Sequence, residues 1–154
     1  MHNILVLCVG NICRSPLAHA LVARKLPGTH VQSAGLGALV GRPADPLSVQ
    51  VAAQHGLDIT AHRAQQVMGW MCQQADLILV MEHTHVAALE RQFPLVRGKT
   101  FRIGQYRKLD VVDPYRNNRS AFEATFDVLT QAVDDWAPRI TRLQQPLTAT
   151  ATTP

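Results

Sequence analysis

Cys8-Val9-Gly10-Asn11-Ile12-Cys13-Arg14-Ser15 puts a thiol, a guanidinium and a run of backbone N–H groups within one short loop. The combination reads as a phosphate trap with a nucleophile at its base. A thiolate attacks phosphorus, and Cys8 facing inward-turned N–H groups is expected to ionise well below the ~8.5 of a free cysteine. Arg14 offers a planar fork that holds two oxygens of a phosphoryl group at once and stabilises charge in the transition state. Gly10 and Asn11 are types that tolerate positive φ, which a tight loop with convergent amides requires. Val9, Ile12 and Cys13 complete the expected cradle for substrate, and the Ser15 hydroxyl can donate to the thiolate and help it leave later.

The elements on either side must hold this loop in place. Ile4-Leu5-Val6-Leu7 is an apolar run of the kind buried on both faces of a parallel sheet. After the loop, Ser15 is expected to cap a helix whose first residue is Pro16 and whose apolar Leu17, Ala20 and Leu21 follow at helical spacing. The trap therefore lies at a strand's carboxyl end and a helix N-terminus, where peptide dipoles favour an anion. Cys-x5-Arg alone means little, since three Cys and twelve Arg in 154 residues give roughly 0.2 chance occurrences. The flanking strand, the Gly and Asn inside the loop and the Ser-Pro at its end carry the reading.

The catalysis also needs an acid, because a phenoxide or alkoxide departs more easily when protonated. Leu109 to Asn118 has no periodicity and contains Asp113-Pro114-Tyr115, so it is expected to hang over the trap as a loop. Asp113 is the candidate acid and, in a second step, the base for water. Pro114 fixes the chain beside it, and Tyr115 can wall the cleft and stack on an aryl phosphate. Taken alone, Asp-Pro is a common turn opener; its partnership with the cysteine loop makes it functional.

The rest of the chain alternates strand and helix signals. Helices are expected over Pro16 to Leu26, from Asp45-Pro46 to near His55-Gly56, over Val67 to Gln74 and over Thr84 to Phe93. Strands are expected from Val31 to Gly35, over Asp76 to Met81 and over Thr100 to Ile103. A last helix opens on the capping box Ser120-Ala121-Phe122-Glu123 and carries Phe122, Phe126, Leu129, Val133, Trp136 and Ile140 on one face. Pro138 predicts a kink or break near Trp136. Such alternation implies an α/β fold with right-handed crossovers, a parallel sheet, and helices on both faces.

With 154 residues and 47% apolar content, one domain is expected over residues 1–145, followed by a disordered Thr- and Ala-rich tail over 146–154. A net charge of +4 with scattered Arg argues against nucleic acid as a partner. No signal peptide precedes the first strand, and no apolar run approaches the ~18 residues of a membrane span, so a cytoplasmic, not membrane-embedded, protein is expected. Three cysteines suit a reducing compartment. Cys72 reads as a small core residue. Cys13 lies near enough to Cys8 in the loop to form a disulfide on oxidation, a redox role that would shield Cys8 from irreversible over-oxidation.

The loop and the Asp113-Pro114-Tyr115 triplet, far apart in sequence, together resemble the low-molecular-weight protein tyrosine phosphatases over nearly the whole chain. The resemblance implies hydrolysis of phosphotyrosine on a protein through a phosphocysteine intermediate, with inorganic phosphate as product and neither metal nor other cofactor. It implies one four-stranded parallel sheet in the order 2-1-3-4, flavodoxin-like or Rossmann-like. It also implies that Ser33 and His62, the latter otherwise a plain surface histidine, hydrogen-bond around Asn11 and hold its conformation, and that Leu39 forms the cleft rim. Gly35-Leu36-Gly37-Ala38-Leu39-Val40-Gly41 is similar to the bacterial branch that acts beside tyrosine autokinases in capsule and exopolysaccharide production, which makes such a kinase the expected partner. Three other functions compete. A phosphocysteine carrier of a sugar transport chain has no evident need for Arg14 or an overhanging acid. Arsenate reduction needs two relay thiols, where the chain has only Cys72 outside the loop and Met81 at the end of the third strand. A catalytically dead phosphotyrosine-binding module would not need Cys8, Arg14 and Asp113 together.

Overall fold

The computed structural model describes residues 1–146, and most of the tail expected to be disordered falls outside them. Four strands, β1 (Asn3–Cys8), β2 (His30–Gly35), β3 (Leu77–Val80) and β4 (Thr100–Arg102), form one sheet in the order β2-β1-β3-β4. All three pairings are parallel, with Leu7 opposite both Ala34 and Val80 and Cys8 opposite Gly35. The expected order and direction are therefore the observed ones.

Both faces of the sheet are covered, which is why its central strands are apolar at every buried position. Ile4, Val6, Leu77 and Leu79 pack on one side with Leu17 and Leu21 of α1 (Arg14–Lys25), Val51 of α2 (Pro46–Gln54) and the apolar stripe of α5 (Arg119–Gln144). Leu5, Leu7, Ile78 and Val80 pack on the other side with Met71 and Cys72 of α3 (Gly69–Gln74) and Leu89 of α4 (His83–Gln92). Cys72 is thus a core residue on the sheet face opposite the layer that contains Cys8. Among the described residues, no helix is long and apolar enough to cross a membrane.

Several element ends differ from expectation. α1 starts at Arg14, so Ser15 lies inside its first turn and caps nothing; its hydroxyl is taken up by Cys8 and Asn11 instead. Pro16 is tolerated because a first-turn N–H has no helical partner in any case. α3 begins at Gly69 rather than Val67, whose N–H is drawn off to the Gly35 carbonyl. α5 is capped not by Ser120 but by Asn118, whose side chain accepts from the Ala121 N–H at 3.1 Å. Asp45 caps α2 ahead of Pro46 as expected.

The break expected near Trp136 does not occur, and α5 runs on through Pro138. Pro138 is exposed while Trp136, Ala137 and Ile140 are buried. The carbonyl it leaves without an N–H partner therefore sits on the water-facing side, where solvation offsets the lost bond, and core packing holds the helix across the gap. The Trp136 indole adds a 2.8 Å bond to the Ile103 carbonyl just beyond β4.

Candidate active site

The loop between β1 and α1 is organised by its carbonyls. Leu36, Gly37 and Leu39 donate their N–H groups to the carbonyls of Cys8, Val9 and Gly10, and Asp45 donates its own to Ile12. His62 Nε2 lies 2.6 Å from the Asn11 carbonyl and the Ser48 hydroxyl donates to that of Cys13. Six consecutive carbonyls are thereby drawn outward. In a trans peptide the N–H of the next residue points the opposite way, so the N–H groups of residues 9 to 14 converge on one concave side. That is an anion cradle built from backbone alone.

Close approach makes this possible at Gly35, where a Cβ would collide with the Val9 carbonyl oxygen. The reversal itself is made at Asn11, with φ at +58°. Asn11 is wholly buried and its side chain is fully engaged. Its amide donates to Ser15 Oγ at 2.7 Å and Ser33 Oγ at 3.1 Å, while its oxygen accepts from the Gln65 N–H at 2.9 Å. Gln65 also donates to the Ser33 carbonyl, and Gln66 bonds both Ala38 N–H and the Leu36 carbonyl. Burial holds the His62 imidazole below its ordinary value, so it is neutral and donates Nε2–H to Asn11.

Cys8 Sγ lies at the floor, 2.9 Å from Ser15 Oγ and 3.2 Å from the Asn11 nitrogen that donates to it. A cleft of about 170 Å³ opens above it, lined by Val9, Gly10, Ile12, Cys13, Arg14, Gly37, Leu39, Asp113 and Tyr115. The sequence-predicted residues therefore divide into two groups. Cys8, Arg14, Asp113, Val9, Gly10, Ile12, Cys13, Leu39 and Tyr115 meet at the cleft. Asn11, Ser15, Ser33 and His62 stand behind its wall and hold it. Burial, with Asp45 and Asp113 nearby, pushes the Cys13 thiol far up, so it stays protonated.

Arg14 is buried at 2% exposure and donates to the Val111 carbonyl at 2.9 Å. Its Nη2 lies 3.6 Å from Asp113 Oδ2, and its Nη1 lies 3.7 Å from Glu82 Oε2. Asp113 is held by the Tyr115 N–H, which donates to its Oδ1 at 3.0 Å. Glu82, Gln65, Gln66, Ser48 and Gly35 are the site residues that sequence reasoning missed. Glu82 had one usable signal: it follows the buried run of β3 directly, at the strand's carboxyl end, where ligands of open α/β sheets collect.

An oxyanion cradle on a strand-to-helix turn, a thiol at its floor, a buried arginine and an overhanging carboxylate mark the site of a phosphatase of the parallel α/β class. The family model for low molecular weight phosphotyrosine protein phosphatase matches residues 3–146, and the chain belongs to that family. It is 49% identical over 141 residues to the "Probable low molecular weight protein-tyrosine-phosphatase EpsP" of Ralstonia nicotianae, covering 92% of this chain and 97% of that one. It is 45% identical over 137 residues to the low molecular weight protein-tyrosine-phosphatase Wzb of Escherichia coli K12, covering 88% and 93%. Among solved structures, Vibrio vulnificus Wzb in complex with benzylphosphonate superposes with a TM-score of 0.87 at 41% identity, covering 89% of this chain and 97% of that one. The enzyme class expected from the loop and the Asp-Pro-Tyr triplet is the one these comparisons give.

Proposed function

We propose that the chain removes phosphate from tyrosine in proteins through a phosphocysteine intermediate. The observation that supports it most is the set of six outward-bonded carbonyls with the Cys8 thiol beneath, since it leaves N–H groups and a guanidinium for the three non-bridging oxygens. Cys8 Sγ attacks phosphorus in line, the P–O bond to tyrosine breaks, and protonated Asp113 gives its proton to the departing phenoxide. Asp113, now a carboxylate, takes a proton from water as that water attacks phosphorus. The P–S bond breaks, the Cys8 thiolate returns with the Ser15 hydroxyl beside it, and inorganic phosphate leaves. Arg14 and the cradle N–H groups hold the equatorial oxygens through both steps. Tyr115 and Leu39 flank the ring of the substrate. After peroxide converts Cys8 to a sulfenic acid, the Cys13 thiol displaces its hydroxyl, forming a disulfide and water.

The substrate we infer is a cytoplasmic tyrosine segment of a bacterial autokinase that controls exopolysaccharide or capsule synthesis. Similarity to EpsP and Wzb supports this partner, together with the glycine-rich Gly35 to Gly41 segment at the rim. Hydrolysis of phosphotyrosine and phosphoserine peptides without added metal tests the reaction, with acid-quenched samples examined by mass spectrometry for phosphate on Cys8. Tyrosine-selective turnover with a Cys8 adduct, and none by Cys8→Ser, is expected. Turnover by Cys8→Ser would overturn the mechanism, and a stable adduct without hydrolysis would favour a phosphocarrier.

A further inference from the structure

Glu82 occupies the N-cap of α4, yet its carboxylate bonds no N–H of that helix. An acidic side chain there would ordinarily serve the helix terminus. Instead, its Oε2 lies 2.8 Å from His85 Nε2 and 3.7 Å from Arg14 Nη1. His85 is buried, and its Nδ1 has no hydrogen-bond partner. Neither residue takes part in the chemistry described above.

We propose that His85 and Glu82 are a positioning pair for Arg14: His85 donates Nε2–H to Glu82, and the fixed carboxylate presets the guanidinium for the transition state. The inference rests on Arg14 holding the phosphoryl group. With Nη1 occupied by the Val111 carbonyl and faced by Glu82, the guanidinium's orientation is settled before substrate arrives, and the Nη2 edge beside Asp113 is the one turned to the cleft.

The chemical form of His85 matters. A proton on Nδ1 would be buried without an acceptor, which places the ring proton on Nε2. Burial holds the imidazole below its ordinary value; Arg14 acts in the same direction, while Glu82, Asp110 and Asp113 oppose. Asp110 does not compete for the ring, because it is engaged by Arg102 and by both the backbone and side chain of His83. A neutral donor fixes the carboxylate without cancelling its charge, and that charge remains available to Arg14. A cation at position 85 would cancel it.

The test compares His85→Leu, His85→Gln and Glu82→Gln with the parent, measuring kcat, KM, melting temperature, and inhibition by phosphate and by vanadate. Vanadate becomes five-coordinate on a thiolate and so reports transition-state geometry; phosphate reports ground-state binding. Positioning predicts that His85→Leu and Glu82→Gln each lose roughly tenfold in kcat and the same factor in vanadate affinity, with KM and phosphate inhibition within about twofold. His85→Gln, which keeps a neutral donor, should recover most of that loss. Unchanged kcat in both variants overturns the inference, and so does an equal loss of phosphate and vanadate binding, which would mark a purely structural role. Arg14→Lys separates the two levels. If it is inactive while Glu82→Gln is unaffected, only the positioning pair fails; if it is fully active, the phosphate-binding role of Arg14 fails with it.

Discussion

The loop of residues 8–15 and the loop of residues 109–118 face each other across one cleft, but they are built in opposite ways. Cys8, Asn11 and Arg14 are 3%, 0% and 2% exposed, and each carbonyl from Cys8 to Cys13 has a partner outside the loop. The Asp113 side chain is 47% exposed, and although Asp110 at the start of its segment is tied to Arg102 and His83, the ties from Val111 to Tyr115 are few. They are Val111 N–H to the Met81 carbonyl, Arg14 to the Val111 carbonyl and, at 3.6 Å, to Asp113 itself, a 3.5 Å contact from the Thr125 hydroxyl to Val112, and local turns around Asp113 and Pro114. Stabilising an oxyanion depends on donors that need not reorganise, and the first loop supplies them already aligned. Delivering a proton depends on a carboxyl that can reach the leaving oxygen and then water, and the second loop leaves it free to do so. The consequence is that disruption of the first loop should show in stability as well as rate, and disruption of the second in rate alone.

The sharpest way to break this contrast is Asp113→Ala. It should lower kcat/KM, which reports the steps up to phosphocysteine formation, by roughly 10²–10⁴-fold for a phosphotyrosine peptide, and markedly less for an aryl phosphate whose leaving group needs no proton. Steady-state kinetics on the two substrates, with melting temperatures alongside, check it. An equal loss of kcat/KM on both substrates would mean that Asp113 acts on phosphate binding rather than on the leaving group.

Gly35→Ala attacks the first loop from behind. The added methyl would meet the Val9 carbonyl, and backbone cannot give way as a flexible side chain can. A loss of about 1–3 kcal/mol of stability is expected, as for other overpacked sites, together with a fall in kcat as the cradle distorts. Urea denaturation and kinetics on the same sample decide it; a stable, fully active variant would show that the carbonyl contacts are not what shapes the cradle.

How far these features could be read in advance follows from where each interaction lies. Thiol, guanidinium, Gly, Asn and helix start are neighbours in the chain, so their types alone specify a loop geometry, and the apolar run before them specifies its place in a sheet. Asp113 was legible because a reaction that makes a phenoxide needs an acid and the chain offers one beside Tyr115 in an aperiodic stretch. Gln65, Gln66 and Ser48 reach the loop only through tertiary packing, and nothing local distinguishes them from surface polar residues; Glu82 is marked only by its place at the carboxyl end of β3. Ser15 misled for an instructive reason: serine before proline suits a helix cap, but here the hydroxyl is held by Cys8 and Asn11. Pro138 misled because its residue type signals a break, whereas its place off the apolar stripe from Phe122 to Ile140 is what lets water make good the lost bond.

A smaller effect is expected at Cys13, which lies within the rigid loop but carries a thiol that stays protonated and so resists direct oxidation. Parent enzyme treated with peroxide should recover most of its activity on incubation with a dithiol, whereas Cys13→Ser should recover severalfold less, because its Cys8 proceeds to sulfinic acid. Equal recovery would remove the protective role and leave Cys13 as a small residue that fits the loop.

The smallest expected effect concerns pH. His62 supports Asn11 as a neutral donor, and burial holds its folded-state value below the ordinary 6.5, outweighing the raising effect of the Asn11 carbonyl. Between the folded value and 6.5 the unfolded chain binds a proton that the folded chain does not. Stability therefore rises with pH across that window and is lost as pH falls below it. His19 and His85 are lowered chiefly by burial too and contribute in the same direction. His62→Gln, whose amide can still donate to the Asn11 carbonyl, should flatten the fall in melting temperature between about pH 7 and pH 5.5 without abolishing it. Should His62→Gln keep the parental slope, the acid sensitivity belongs elsewhere, and the rigidity of the catalytic loop does not depend on the protonation state of its histidine.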